Sequence, residues 1–562
     1  MAGNEVSGHA CPLCLVKPQC KAAAGQVRGW QACHAILKGI NPTEGIYMSK
    51  RLELPIGIQD FEKLRTDNLL YVDKTQAIHG LLSKSGYYFL SRPRRFGKSL
   101  TLSTIRAIFE GKRELFSGLW IEDQWDWNKV HPVVQLSINK LDYQGKGLEA
   151  ALQAGLQDHA NHYQVELVSS TLKSQFSELL EKLAKQHGKV VLLIDEYDKP
   201  LIDYLDDMPL AKANQRVMKT FYSVIKDSDP YLQFLLITGV SKFSKVSIFS
   251  DLNHLFDLTF ARDAVALTGY TQAELEHYFQ DYMQETAAYL QLSHEGLLEK
   301  LREWYNGYSW DGHTRVYNPF SILSFFRDSA FRNYWFETGT PNFLPKLMKK
   351  QQLLEVDGVE MDELGFSSYD IEKLQVLPVL LQTGYLTIQE KLEYGLFRLG
   401  YPNREVRASM LTYLIAEMRH DEAITTTPTV VSLHRAFAAN DLEQVIKLVK
   451  SIFKTIPSHI FIKEAESYYH SLIHLVFHYL GLYTESEVNT NDGRLDCVVK
   501  TPTHIYVIEF KLNKSADEAM QQIKDKGYAE KYRADPRPKV LVGVNFSSET
   551  KTVEGWKTEA LA

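Results

Sequence analysis

The stretch Lys189–Glu196, KVVLLIDE, constrains the fold of this chain more than any other. It is an unbroken apolar run closed by two acids. A strand wetted on one side alternates apolar and polar residues, whereas a strand covered on both faces reads as a continuous apolar run. Such strands belong to mostly parallel sheets with helices on each face, and ligands of these folds gather beyond the carboxyl ends of the strands. Asp195 and Glu196 stand at that end.

A second apolar run, Tyr87–Leu90, leads into SRPRRFGKSL and then into TLSTIRAIFEG, which has helical spacing. Strand, loop, then Gly-Lys-Ser opening a helix is the context of a phosphate-binding loop. Backbone N–H groups at a helix start point at an anion. Gly97 gives the turn, Lys98 adds charge at the β- and γ-phosphates, and the Ser99 hydroxyl holds Mg²⁺. The usual first glycine is replaced by Arg92, a departure that supports nucleotide binding more than rapid turnover. In the same scheme Asp195 holds Mg²⁺, commonly through water, and Glu196 orients the attacking water. A third strand, Gln233–Gly239 (QFLLITG), ends near Thr238, which either senses the γ-phosphate or caps the following turn. Arg94 and Arg95 contact phosphates, nucleic acid or only solvent.

These segments, RPRRFGKSL, VVLLIDEYDKPL and LLITGVSKFSKVSIFSDLNHLFDLT, with LPIGIQDFEKLR and YVDKT upstream, resemble the bacterial AAA-ATPase-like family. Members of that family show arginine-proline ahead of FGKS and carry a C-terminal domain of the PD-(D/E)XK nuclease superfamily. The resemblance implies an α/β fold: a P-loop NTPase (ASCE/AAA-like) core, a helical and winged-helix-type middle region, and a C-terminal αβββαβ nuclease fold. It implies ATP and Mg²⁺ as cofactors. The expected divisions are 1–47 as a disordered or non-native extension, 48–262 as the ATPase core, 263–455 as lid and connector, and 456–562 as the nuclease-like domain.

The length of 562 residues allows three or four domains, or two large ones. Hydrophobic residues at 44% and charged residues at 23% exclude a disordered, collagen-like or coiled-coil chain. With 63 Lys and Arg against 69 Asp and Glu, the net charge is −6, so a nucleic acid must be met by a local groove rather than a cationic body. No apolar run approaches the roughly 18 residues of a membrane span, and no secretory signal is readable. A soluble, cytoplasmic protein is expected. Four of the five cysteines, Cys11, Cys14, Cys20 and Cys33, crowd the first segment with His34 beside the last. Their C-x2-C spacing invites zinc, but the segment lacks periodic apolar pattern, and ordered composition begins at Met48. An unfolded extension is favoured.

In the middle region, Thr271 and Glu274 form an S/T-x-x-E capping box that starts a helix at LTGYTQAELEHYF. WYNGYSW (Trp304–Trp310) and VYNPFSIL (Val316–Leu323) interleave aromatic and polar residues. Such segments stack bases or pack a lid against its core; packing is favoured. Leu380–Ile388 and Phe397–Val406 read as the two arms of a hairpin, and 407–455 as a helical connector.

The second site lies near the C-terminus. Glu464–Leu480 is an apolar-periodic helix, Thr484–Val488 and Arg494–Val499 are strands, His504–Leu512 (HIYVIEFKL) is a strong strand, Ser515–Tyr532 a helix and Lys539–Phe546 a last strand. Alternate side chains of a strand share a face, so Glu509 and Lys511 point the same way, and Asp496 on the preceding hairpin strand can lie beside them. Two carboxylates and an ammonium at one sheet end are costly without a task. They suit a divalent cation: Asp496 and Glu509 offer hard oxygen ligands for Mg²⁺, and Lys511 steers or deprotonates the attacking water. The nuclease superfamily resemblance matches D–ExK to these three residues and implies Gln522 and Tyr528, in QIKDKGY, as supporting residues. Glu466 resembles an extra metal ligand of some members, or is a solvated helix residue. His470, His474 and His478, four apart, read as packing or surface groups.

Two functions are consistent with this pattern. One is an ATP-binding, ATP-hydrolysing protein coupled to a Mg²⁺-dependent nuclease acting on DNA. The other is a nucleotide-gated switch that grips nucleic acid or protein without cutting. Intact Asp496 and Lys511 favour the first. An oligomer is allowed, since ATPase rings take an arginine in trans; Arg262 is the candidate.

Overall fold

Alternate residues of one parallel sheet feed two separate cores, and this is what fixes the N-terminal half. The computed structural model describes residues 51–561 apart from 85, 243–247, 250–251, 253, 338–342, 364, 368–373, 420–422, 455–464, 492–493 and 551. The cysteine-rich segment therefore lies outside the described residues. The chain divides after Leu52, and the larger unit begins at Glu53.

Within that unit, strands β1 (Tyr87–Ser91), β2 (Val133–Ser137), β3 (Val190–Asp195), β4 (Leu232–Gly239) and β5 (Leu255–Asp257) form a five-stranded sheet of order β2-β3-β4-β1-β5. Every neighbouring pair is parallel. Along β3, Val190, Leu192 and Ile194 enter one core with the helices Leu148–His162, Leu172–His187 and Met208–Lys226. Val191 and Leu193 enter the opposite core with Leu102, Ile105 and Ile108 of α1 (Lys98–Phe109). Burial on both faces is the physical reason for the unbroken apolar run. Strands β1 and β3, whose carboxyl ends carry the phosphate-type loop and the acid pair, are separated by β4.

The middle region begins with the capping box, formed by Thr271 and Glu274 in both directions at the helix Gln272–Tyr278. The hairpin reading needs correction. Leu380–Thr383 belongs to the helix Val376–Thr383, which Gly384 ends in the left-handed conformation at φ 88°. A buried helix and a buried strand give the same short apolar run, and the glycine past its end is the helix signal. The hairpin itself is β7 (Thr387–Lys391) with β8 (Leu396–Gly400); β6 (Val359–Asp362), which the pattern does not announce, pairs antiparallel with β8. Helix α2 (Arg404–Arg419) comes next, then the helices Thr426–Ala438 and Leu442–Lys454.

The C-terminal order is α3 (Ala465–Leu480), β9 (Glu485–Asn491), β10 (Arg494–Lys500), β11 (Ile505–Leu512), α4 (Ala516–Asp525), β12 (Lys539–Ser547) and β13 (Thr552–Leu561). The sheet runs β13-β12-β11-β10-β9, with β11 and β12 parallel and the other pairs antiparallel. Two details depart from expectation. Helix α4 stops at Asp525 rather than Tyr532, because Gly527 turns at φ 60° before a short 3-10 turn, Glu530–Tyr532. Strand β13 adds an edge whose mostly exposed, mixed residues hide it from apolar patterning. One face of the sheet, through Tyr506, Ile508, Phe510, Val542 and Val544, packs in a core shared with Leu472 and Val476 of α3, with Val445, Val449 and Phe453, and with the middle region. The other face, through Val498, Val507 and Leu541, packs on Met520 and Ile523 of α4. The first of these cores is continuous across the expected division at 455/456. Among the described residues no helix is long and apolar enough to cross a membrane.

Candidate functional site

Two strand ends and one helix start converge on Asp195. The loop after β1 closes at Gly97, whose φ of 89° is left-handed and which sits as the N-cap of α1. Lys98, the first residue of that helix, turns its ammonium back into the loop and donates to the carbonyls of Arg92 and Pro93, both at 2.9 Å. Burial holds its pKa below the usual lysine value, while Asp195, Glu196 and Asp198 pull the other way. Ser99 Oγ donates to Asp195 Oδ2 at 2.5 Å, and Thr238 Oγ1 donates to Oδ1 at 2.6 Å. The structure thus joins α1, β3 and β4 through one carboxylate. Glu196 is next in the chain at φ 55°, a left-handed conformation unusual for a side-chain-bearing residue. Its Oε2 is buried with no hydrogen-bond partner among the described residues. Burial, and next the Asp195 charge, raise its carboxyl above the ordinary value. A carboxyl raised in this way holds a proton more tightly than an ordinary one.

Arg92 explains how the loop does without its first glycine. Its guanidinium leaves the loop and is fully buried, donating to the carbonyls of Thr259 at 2.8 Å and Ala264 at 3.1 Å. It stacks 3.9 Å over Trp310, and burial brings its pKa down to about 9. The rest of the loop is gripped by the middle region. Phe96 meets Tyr308 and Trp310 edge-on at 4.8 and 5.5 Å, and Trp335 Nε1 donates to the Arg94 carbonyl at 3.0 Å. A Cβ on Gly384 would stand 2.6 Å from the Pro93 ring, so only glycine permits this approach. Tyr308 and Trp310 are therefore buried packing groups rather than exposed stacking surfaces. Arg94 and Arg95 are exposed, Arg95 lying 5.0 Å over Phe320. Arg262 is exposed in the short turn Arg262–Ala264.

Sequence reasoning passes over Asp198, three residues beyond Asp195. Its buried carboxylate accepts from Ser241 N at 2.7 Å, Ser241 Oγ at 2.6 Å and Val240 N at 3.1 Å, and so holds the segment after β4. Burial raises its pKa. The signal is present in IDEYD, but an acid one turn past a strand gives no hint of its partners.

The second cluster is built by register. Residue 496 of β10 lies directly across from Glu509 of β11, and opposite positions of an antiparallel ladder share a face. Parity agrees: Val498 and Val507, two residues from each, both enter the α4-side core. Glu509 is completely buried; Lys511 Nζ lies 3.0 Å from its Oε1, and Gln522 Nε2 of α4 donates to the same oxygen at 2.7 Å. Tyr528 OH is 3.5 Å from Gln522 Nε2. A contributor that the sequence does not announce is Gly543 of β12, opposite Glu509. A Cβ there would come within 2.6 Å of the Ala516 carbonyl and 2.8 Å of Met520 Cγ, so its absence lets α4 press onto the sheet and deliver Gln522.

His474 and His478 have partners outside this cluster. Arg407 Nη2 donates to His478 Nε2 at 2.6 Å, and burial, followed by the Arg407 charge, brings His478 down to about 3. His474 Nε2 lies 3.7 Å from Glu355, and its pKa is lowered by burial. The side chains of Glu466, His470 and Asp496 lie outside the described residues. Among the described residues no three His, Cys, Asp or Glu side chains gather as metal ligands.

Two family models match the chain. One, described as a predicted AAA-ATPase, matches residues 55–249, and one of the PD-(D/E)XK nuclease superfamily matches 464–556. A protein of Azotobacter chroococcum mcd 1, described as an uncharacterized protein in the vnfD 5′ region, is 38% identical over 526 residues, spanning 91% of this chain and 99% of that one. No solved structure matches.

Proposed function

Because this chain belongs to the AAA-ATPase-like family and carries a C-terminal domain of the PD-(D/E)XK nuclease superfamily, we propose that it binds and hydrolyses ATP and uses the nucleotide to license Mg²⁺-dependent cleavage of DNA. The observation that carries this reading is the Glu509 carboxylate, fully buried yet tied to Lys511 and Gln522 and standing opposite residue 496. A buried acid with an ammonium and an amide on one oxygen is expensive packing, and its carboxylate, with that of Asp496 across the ladder, would offer the oxygen ligands that a hard cation takes. Asp496 and Glu509 would hold Mg²⁺, which when bound supplies charge stabilisation at the scissile phosphate. Gln522 fixes the orientation of the Glu509 carboxylate, and Lys511 presents its ammonium where the attacking water loses a proton. Tyr528 braces Gln522.

In the N-terminal half, Lys98, Ser99 and Asp195 hold the nucleotide and its Mg²⁺, with Gly97 and the α1 N-terminus facing the phosphates. Glu196 takes the proton of the attacking water, a role that its raised carboxyl suits. Thr238 fixes Asp195 and reports the γ-phosphate through it. Arg94 and Arg95 extend from the loop toward phosphate or DNA, and Arg262 is offered to a neighbouring subunit. Coupling is supported by the grip of Trp310, Trp335 and Gly384 on the loop, because their core runs on without a break to the face of the C-terminal sheet. A change in the loop is thus a change in packing that reaches β11.

The test is cleavage of plasmid, linear, single-stranded and branched DNA with metal and nucleotide varied together. Metal-dependent nicking that Lys511→Ala abolishes and Lys98→Ala uncouples from ATP is expected. Nucleic-acid binding that tracks ATP without any nick under Mg²⁺ or Mn²⁺ would instead make the protein a switch.

A further inference from the structure

One polar side chain beside the C-terminal cluster has no assigned task. Asn545 of β12 pairs with Lys511 of β11 across the parallel ladder. Paired residues of adjacent strands share a face, and Asn545 is two residues past Gly543 and four past Leu541, which packs under α4. It therefore belongs to the face that carries Glu509, Lys511 and residue 496. Its Oδ1 is buried and has no hydrogen-bond partner among the described residues. An orphaned amide oxygen in a folded interior is a cost that calls for a reason. The β12–β13 ladder also changes register between Asn545 and Phe546, where Glu554 is the extra residue in β13. Irregularities of this kind collect next to working sites, where they re-aim a side chain.

We propose that Asn545 is a positioning residue for Lys511, its amide oxygen being the second acceptor for the lysine ammonium. The inference rests on the cation-binding reading of the cluster. Lys511 now lies 3.0 Å from Glu509 Oε1. An ammonium on that oxygen competes with a cation for the same lone pairs. When Glu509 turns to a cation, the lysine needs another acceptor on the same face, and its flexible stem has Asn545 as its neighbour in register. Asn545 thereby weakens the internal ion pair and frees the carboxylate, while holding the ammonium within the cluster. No bond is made or broken in this step; one hydrogen bond of Lys511 is exchanged for another.

The experiment is calorimetric titration of the full chain with Mn²⁺, using Glu509→Ala protein as the blank for other cation sites. Asn545→Ala is expected to weaken Mn²⁺ binding about tenfold, the worth of one hydrogen bond to a charged group. In a Lys511→Met background the same substitution is expected to change nothing, because the competitor is gone. Asn545→Asp, which keeps an oxygen in place and the side-chain shape, restores binding at least to the original level and guards against misfolding as an explanation. Equal effects of Asn545→Ala with and without Lys511, or no effect in either, would overturn the inference while leaving the cation site standing. If the blank and the unaltered protein bind Mn²⁺ alike, the cation reading falls and takes the inference with it.

Discussion

The two acid clusters, at Asp195 and at Glu509, are held in opposite ways. Asp195 is locked: both of its oxygens accept hydroxyls, from Ser99 and Thr238, and the loop beside it is bolted by Arg92. Glu509 has Lys511 and Gln522 on one oxygen, and the strand partner Asp496 is brought level by register alone. The first site is assembled from loops and strand ends far apart in sequence and clamped by aromatic packing. The second is printed on adjacent strands by a period of two. One is rigid through tertiary contacts, the other through its ladder.

That contrast breaks most visibly at Lys511. Lys511→Ala is expected to lower DNA cleavage by about 10³-fold, within the range for loss of a general acid–base group, with ATP binding unchanged; a plasmid-nicking assay and a nucleotide titration read the two separately. Next in size, Lys98→Ala is expected to weaken ATP binding about 100-fold, the worth of two charge-assisted hydrogen bonds, while cation binding at the C-terminal cluster stays intact. If that cluster also loses its cation, the sites are not independent holders and the comparison fails. Gly543→Ala sharpens it. The added Cβ meets the Ala516 carbonyl at 2.6 Å, so α4 must lift; about 1–3 kcal/mol of stability is expected to go, with cleavage falling about tenfold as Gln522 leaves Glu509.

The smallest effect concerns Glu196. Its carboxyl is raised by burial and then by the Asp195 charge, so the folded state holds that proton more tightly than the unfolded chain. The stability associated with it is full at low pH and is lost as pH rises through the raised value. Glu196→Gln is therefore expected to raise Tm by about 2 °C at pH 8 and to leave it unchanged at pH 4, as scanning calorimetry would show. An equal gain at both pH values would mean that the raised carboxyl has nothing to do with it.

The same contrast governs how much of the molecule is legible in its sequence. Strands β1, β3 and β4 are legible because burial on two faces leaves an apolar run, and the runs lead to the loop, Asp195 and Thr238. Glu509 and Lys511 are legible because parity is a local rule, and the position of residue 496 comes from the hairpin register. Arg92 is not. An arginine in a loop looks solvated or phosphate-bound, and only the folded chain brings it to the carbonyls of Thr259 and Ala264 and to Trp310. Gly543 and Asn545 escape notice because a small residue and an amide inside a good strand carry no pattern. Leu380–Thr383 misleads since a short apolar run does not declare its period, and β13 is hidden because an outer strand of mixed polarity resembles a tail.

The shared core behind the C-terminal sheet has a practical consequence. Phe453 sits edge-on against Phe546 at 4.3 Å, and Val445 and Val449 lie in the same core as Val542 and Val544. A fragment excised from residue 456 onward keeps α3 over the sheet but loses Val445, Val449 and Phe453, so part of the apolar face they cover would stand open to water. An isolated C-terminal module has to begin no later than Thr426, keeping the two helices that roof it.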